Sequence, residues 1–222
     1  MNPLLIRRRG MMQTGGSIPG TPLEYIETDG VAFIDTGIRQ ASEISARIKC
    51  MLPSATTFVA IMGAGFVNTT SQVVTTLSPF IVNTGKVIGF FYRYRYISGA
   101  PSIAASINNQ TPFIAMTRLK QNNQNISVLQ QGEITPTSFS KTQASASAAT
   151  DSQYLFRTNH STPSECPNGT RIYYCQIWSD YNMTTMVRDY TPRLIGGVYG
   201  LWDNISKTFF TNAAGSGAFS GA

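Results

Sequence analysis

RIYYCQIWSDYNMTTMVRDYTPRLIGGVYGLWDNISKTFFTNAAGSGAFSGA, residues 171–222, is the stretch whose reading decides the fold. RIYYCQIW (171–178) is dense in β-branched and aromatic residues, which suit a pleated, half-buried surface, so it reads as a strand. SDYNMT is polar enough to be a hairpin connection. MVRDYTP reads as the return strand and is expected to stop at Pro192, whose missing N–H cannot join a central ladder. IGGVYGLWD, KTFFTN and a closing GAFSG give further strands, parted by Asp203-Asn204 and by the Ala214–Gly217 turn.

Upstream the same signals recur. Leu23 to Ile38 is expected to form a first strand pair around the turn dipeptide Asp29-Gly30. In 43–52, EISARIKCML, Ile44, Ala46, Ile48, Cys50 and Leu52 alternate with Glu43, Ser45, Arg47, Lys49 and Met51, the pattern of a strand with one wet face. Residues 57–65, 72–77, 79–95, 112–129 and 133–140 are further strand candidates, with 121–125 as a polar hairpin tip. Residues 141–152 and 158–169 read as loops. No amphipathic helix and no internal repeat is evident.

The order Arg-Ile-Tyr-Tyr-Cys-Gln-Ile-Trp, Val-Arg-Asp-Tyr-Thr-Pro, Gly-Val-Tyr-Gly-Leu-Trp-Asp and Phe-Phe-Thr-Asn-Ala-Ala-Gly-Ser-Gly-Ala-Phe resembles the end of a laminin-G/concanavalin-like jelly-roll module. The usual beginning of such a module is matched by Glu24–Ile38, EYIETDGVAFIDTGI. Modules of this kind occur in structural proteins of tailed phages (the crAss-like phages among the candidates) and in bacterial surface proteins. The resemblance implies an all-β, two-sheet antiparallel jelly-roll sandwich with its first and last strands adjacent, so Glu24–Ile38 should share a sheet with Lys207–Phe219. It implies little about chemistry, because the fold hosts binders, enzymes and scaffolds.

The chain has 222 residues with 42% hydrophobic content, enough for one sizeable core. Only 13% are charged, about half the usual share, and Asn, Gln, Ser and Thr carry the surface instead. The formal charge of +6 includes three arginines side by side at Arg7, Arg8 and Arg9, so no general nucleic-acid surface follows from it. Residues 1–22 lack the charge-then-apolar order of a secretory signal, and no segment is apolar for the length of a membrane span. They read either as a tail or as an extended arm and linker before a domain at 23–222. As an arm it would dock on a neighbouring subunit through Leu4, Leu5 and Ile6, with Arg7–Arg9 meeting acidic groups.

Catalytic and metal motifs are sparse. His160 is the sole histidine and lies in a Ser/Thr/Pro loop without a nucleophile or acid beside it. Glu24 and Glu27 would point to opposite strand faces, so no carboxylate pair for glycoside hydrolysis is evident. Asp35, Asp180, Asp189 and Asp203 are the candidates for calcium but form no ligand motif, and no cofactor is expected. Cys50, Cys166 and Cys175 allow at most one internal disulfide; Cys50 and Cys175 read as packing thiols of their strands, and a Cys166–Cys175 bridge is the alternative. The Asn-x-Ser/Thr triplets are mostly what a chain this rich in those residues gives by chance.

In 90–96, FFYRYRY, Arg93 and Arg95 share a face with Phe91, and Phe90, Tyr92, Tyr94 and Tyr96 share the other. Such interleaving suits stacking on sugar rings or bases, and equally suits an outer strand packed into a sandwich. The expected function is non-enzymatic and structural: a virion protein, most simply an auxiliary or decoration protein held to a capsid by its arm, with capsid or fibre subunits as partners. The alternative is a carbohydrate-binding module of a head or tail fibre, gripping host-surface glycan through Tyr92, Tyr94, Trp178 or Trp202. Neither reading calls for a membrane or a specific nucleic acid, and both admit a homo-oligomer.

Overall fold

The computed structural model describes residues 17–39, 43–53, 59–64, 66–68, 71–82, 87–93, 110–120, 123–141, 151–159 and 165–222. Every regular element among them is a strand. The first nine are β1 (Thr21–Pro22), β2 (Ile26–Thr28), β3 (Ile34–Arg39), β4 (Ile44–Met51), β5 (Val59–Ala60), β6 (Met62–Ala64), β7 (Phe66–Asn68), β8 (Ser71–Val82) and β9 (Val87–Arg93). There follow β10 (Phe113–Lys120), β11 (Asn123–Gln130), β12 (Thr137–Lys141), β13 (Ser152–Leu155) and β14 (Thr158–Asn159). The last five are β15 (Arg171–Trp178), β16 (Met186–Ile195), β17 (Val198–Asp203), β18 (Thr208–Phe210) and β19 (Phe219–Gly221).

An 11-stranded sheet runs β12-β11-β10-β4-β15-β16-β17-β18, with β1 on β16 and with β2 joining β15 to β19. A 4-stranded sheet, β14-β6-β13-β3, packs against it to make the sandwich, and β5, β7, β8 and β9 form a further small sheet. The alternation of β4 sets its core face: Ile44, Ala46, Ile48 and Cys50 are buried, and the opposite face carries Arg47 and Lys49. They meet Ile34, Met62, Leu155 and Phe156 from the other layer. Each fully buried Ile, Leu, Met or Phe among them contributes about 1.5–3 kcal/mol. The Phe156 and Phe219 rings lie 5.1 Å apart, and Tyr190 Oη donates to the Thr36 carbonyl at 3.4 Å.

The end of the chain is built of strands, as its sequence reads, but with a turn inside IGGVYGLWD. Gly196 and Gly197, at φ 59° and 83°, make the tight turn of the β16–β17 hairpin, a left-handed pair that non-glycine residues rarely adopt. The last strand lies beside β2 near the start of the domain, with Phe219 opposite Thr28 and Gly221 opposite Ile26.

Several expectations are corrected. Asp29-Gly30 does not close a hairpin, because β2 belongs to the large sheet and β3 to the small one. Asp29 Oδ1 instead accepts the Val31 and Ala32 N–H groups at 2.9 Å, and Oδ2 accepts that of Ala218 at 2.7 Å, so the carboxylate holds a crossing between layers. For the same reason only the first part of Glu24–Ile38 shares a sheet with the C-terminal strands. β16 runs through Pro192: its carbonyl accepts the Leu23 N–H at 3.2 Å, so its nitrogen also faces away from β17 and the β16–β17 ladder misses no donor. The polar tip is shorter than 121–125, since Asn123 already pairs with Lys120. Within 158–169, Thr158–Asn159 forms a parallel strand on β6. The end of the expected linker, Thr21–Pro22, likewise pairs with Leu194 and Arg193.

Candidate functional site

Strand alternation and one bulge build an aromatic and cationic face on the outside of the large sheet. Along β15, Ile172 pairs with Cys50 and Tyr174 with Lys49, leaving Tyr173 as an extra residue. A bulge of this kind turns two consecutive side chains to one side. Both tyrosines therefore accompany the outward residues of β4. Lys49 Nζ sits 4.7 Å from the Tyr173 ring centroid, and the Arg47 guanidinium 5.7 Å from that of Tyr174. Tyr25, outward because Ile26 is buried, meets Tyr173 edge to face at 5.7 Å. The Arg171 guanidinium covers Tyr25 at 4.2 Å and bonds Glu27 through its Nε at 2.6 Å. These contacts hold Tyr25 and Tyr173 in place before any ligand arrives.

The polar groups beside them are also fixed. Gln176 lies between Arg47 and Asp189 in register, and its Nε2 donates to Asp189 Oδ1 at 3.1 Å. Asn204 Nδ2 donates to the other Asp189 oxygen at 3.2 Å. Cys175 opposite Tyr190 puts Tyr174 and Thr191 at the next positions of their strands, and Thr191 pairs with Trp202. Thr191 and Trp202 thus share one outer row, about 4.8 Å apart, on the same face as Tyr174. At the other side of Lys49 opens a cleft of ≈ 200 Å³ lined by Lys49, Ile114, Leu129, Gln131 and Glu133 among others. Burial pushes the Tyr173 and Tyr174 hydroxyls above the ordinary phenol value, so both stay protonated donors at neutral pH.

The residues singled out from sequence are distributed otherwise. Trp202 is half-buried on this face, its Nε1 without a hydrogen-bond partner among the described residues. Trp178 is only 7% exposed, on the Ser45 row that the 179–185 loop folds over, Ser45 Oγ donating to the Asp180 carbonyl at 2.8 Å. It offers little ring surface to a sugar. Tyr92 falls in β9, away from the large sheet, and Tyr94, His160 and the arm residues Leu4, Leu5, Ile6, Arg7, Arg8 and Arg9 lie outside the described residues. Sequence reading missed Tyr25, Tyr173 and Tyr174. The Tyr-Tyr pair in RIYY was the one signal, since strict alternation would have sent one of them into the core.

The four aspartates considered for calcium are each engaged by the protein. Asp35 accepts the Gly37 N–H at 2.9 Å, Asp180 those of Thr184 and Thr185, and Asp203 that of Asp189 at 2.8 Å. Asp189 holds Gln176 and Asn204, and no metal-binding cluster of carboxylates, thiols and imidazoles occurs among the described residues. Glu27 is committed to Arg171. Cys50, Cys166 and Cys175 are buried and form no disulfide, in keeping with packing thiols.

No protein-family model and no curated protein matches the chain. Among solved structures it is similar to a "putative carbohydrate binding protein" from Bacteroides ovatus, at TM-score 0.53 and 11% identity over 90% of this chain and 60% of that one. Tailspike protein 2 of Escherichia coli O157:H7 bacteriophage CAB120 aligns at TM-score 0.46 and 13% identity, over 82% of this chain and 31% of the tailspike. The enzymatically active domain of the bacteriophage CBA120 tailspike protein 2 aligns at 0.45 and 15%, over 78% and 31%. The chain thus spans less than two thirds of each of these structures. What the likeness establishes is the β-sandwich, consistent with a jelly roll. Laminin-G membership does not follow from it.

Proposed function

We propose that the chain is a carbohydrate-binding module whose ligand lies across the outer face of the large sheet, on Tyr25, Tyr173 and Tyr174. The observation that carries this is the bulge at Tyr173, which sets two successive phenol rings on one face beside Lys49, Arg47 and Gln176. Tyrosine rings present a negative face to the weakly positive C–H groups of a pyranose, and their hydroxyls bond its rim. Fixed planar amide and guanidinium groups alongside add direction. The sandwich likeness to the Bacteroides protein supports the reading at the level of fold. Placement in a phage particle, and the decoration role with its arm, rest on the sequence resemblance alone. Catalysis forms no part of the proposal.

The test is glycan-array binding of the intact protein, followed by calorimetry on the best glycan with Tyr173→Ala and Tyr174→Ala. Loss of one stacked ring should weaken binding by about 1–2 kcal/mol, with thermal stability measured alongside. Folded variants that bind as well as the parent would remove the site, and a blank array would remove the function.

A further inference from the structure

We infer that the glycan is an acidic one, its carboxylates met by a line of three cations, Lys49, Arg47 and Arg118. This rests on the glycan-binding reading above. Lys49 and Arg47 are outward residues two apart on β4, and Arg118 faces outward from β10 opposite Ser45. The line covers four residue steps, about 14 Å along the strands, and crosses one strand gap. That is the length of a short oligosaccharide rather than of a single sugar.

The three cations share an absence of counter-charge on the neighbouring strands. In register, Lys49 lies between Ile114 and Tyr174, Arg47 between Met116 and Gln176, and Arg118 between Ser45 and Asn125. All six neighbours are neutral, where a solvated sheet face ordinarily sets acids opposite bases. None of the three makes an ion pair among the described residues, whereas Arg157, Arg171 and Arg188 all do. The nearby acids are hydrogen-bonded to other groups: Asp189 to Gln176 and Asn204, Glu133 to the Gln130 N–H at 3.1 Å, and Glu43 to the Tyr181 N–H at 3.2 Å. Lys120, beyond Arg118, lies 4.5 Å from the Tyr181 ring and is not counted in the line.

A second observation points the same way. Arg118 Nε is buried and has no hydrogen-bond acceptor among the described residues. A buried guanidinium N–H without an acceptor is costly, and a carboxylate accepting from two nitrogens of the fork would satisfy it. The tyrosines supply the sugar-ring contact that distinguishes such a ligand from a simple anion.

The experiment uses the intact protein and four polymers: polygalacturonate and its methyl ester, polysialic acid and its carboxyl-reduced form. A neutral mannan and a single-stranded DNA oligonucleotide serve as further probes. At least one native acidic polymer should bind, at least tenfold tighter than its neutral counterpart, and weaken as salt rises from about 50 to about 500 mM. Arg47→Gln and Arg118→Gln should each reduce that affinity about ten- to a hundredfold, with Arg118→Lys between, and leave the thermal midpoint in place. Equal binding of native and neutralised polymers, or binding of mannan alone, overturns the acidic preference and leaves the glycan reading standing. Binding of none of the polysaccharides overturns both. Binding of the oligonucleotide in place of every polysaccharide also overturns both, and assigns the cations to phosphate.

Discussion

The Nε of Arg188 lies 3.6 Å from the carboxylate of Asp203, a fully buried acid, inside the rim of the sandwich. The same guanidinium donates to the Thr36 carbonyl of the opposite layer at 3.3 Å through both Nε and Nη2. Asp203 also accepts the N–H groups of Asp189, Ile205 and Ser206. The pair therefore joins β16 and β17 to β3 of the second sheet at one point.

Burial alone would push the Asp203 carboxyl up, yet the N–H donors and the Ser206 hydroxyl hold it below its ordinary value. A depressed carboxyl stabilises the fold above its unfolded value, about 3.9, and that contribution is lost as pH falls through the folded value. Asp203→Asn should cost about 3 kcal/mol at neutral pH, because Arg188 is left without its carboxylate. It should also flatten the acid side of the stability curve. Thermal midpoints from about pH 2 to pH 7 decide the matter; an acid limb as steep as the parent's would assign it to another carboxylate.

The C-terminus closes the domain. Phe219 is 7% exposed against Phe156, and the Ala222 carbonyl accepts the N–H of Tyr25 at 3.3 Å. Phe219→Ala should destabilise by about 3–5 kcal/mol. Removal of residues 215–222 should cost more, since the β2–β19 pairing goes with it. Thermal unfolding of the trimmed protein gives the answer, and an unchanged midpoint would make this end a free tail.

Cys50, Cys166 and Cys175 are all 2% exposed or less, and burial pushes each thiol well above its usual range. A thiol reagent should find no fast-reacting group at neutral pH in the folded protein and three in denaturant. Rapid labelling of the native state would contradict the burial of the strand pair that carries Cys50 and Cys175.

Attachment through Leu4–Arg9 remains a proposal, and the fold gives it a clean test. Residues 1–16 precede β1, so a protein beginning at Ser17 keeps the β1–β16 pairing and should melt with the parent. If the arm anchors the protein to a particle, this shortened form should fail to join it. Undiminished incorporation would transfer the attachment to the sandwich itself.

Sequence alone determined the β15 strand with its hairpin connection, the later strand segments and the apolar stripe of β4, because alternation and turn chemistry act over a few residues; it placed Gly196-Gly197 inside a strand, where the chain turns instead. It could not determine which layer received Ile34–Arg39. Either sheet buries the same face, and the choice is made by partners Tyr154 and Leu155, far along the chain. Pro192 misled for a related reason: its cost depends on whether a neighbouring strand needs the missing N–H, and β15 has already turned away there. The candidate site was the least legible part. Tyr173 joins Tyr174 on the outer face only because β15 bulges against β4, and Lys49, Arg47 and Arg118 become one line only through the β4–β10 register. Pairing between distant strands sets both, and local pattern carries no record of it.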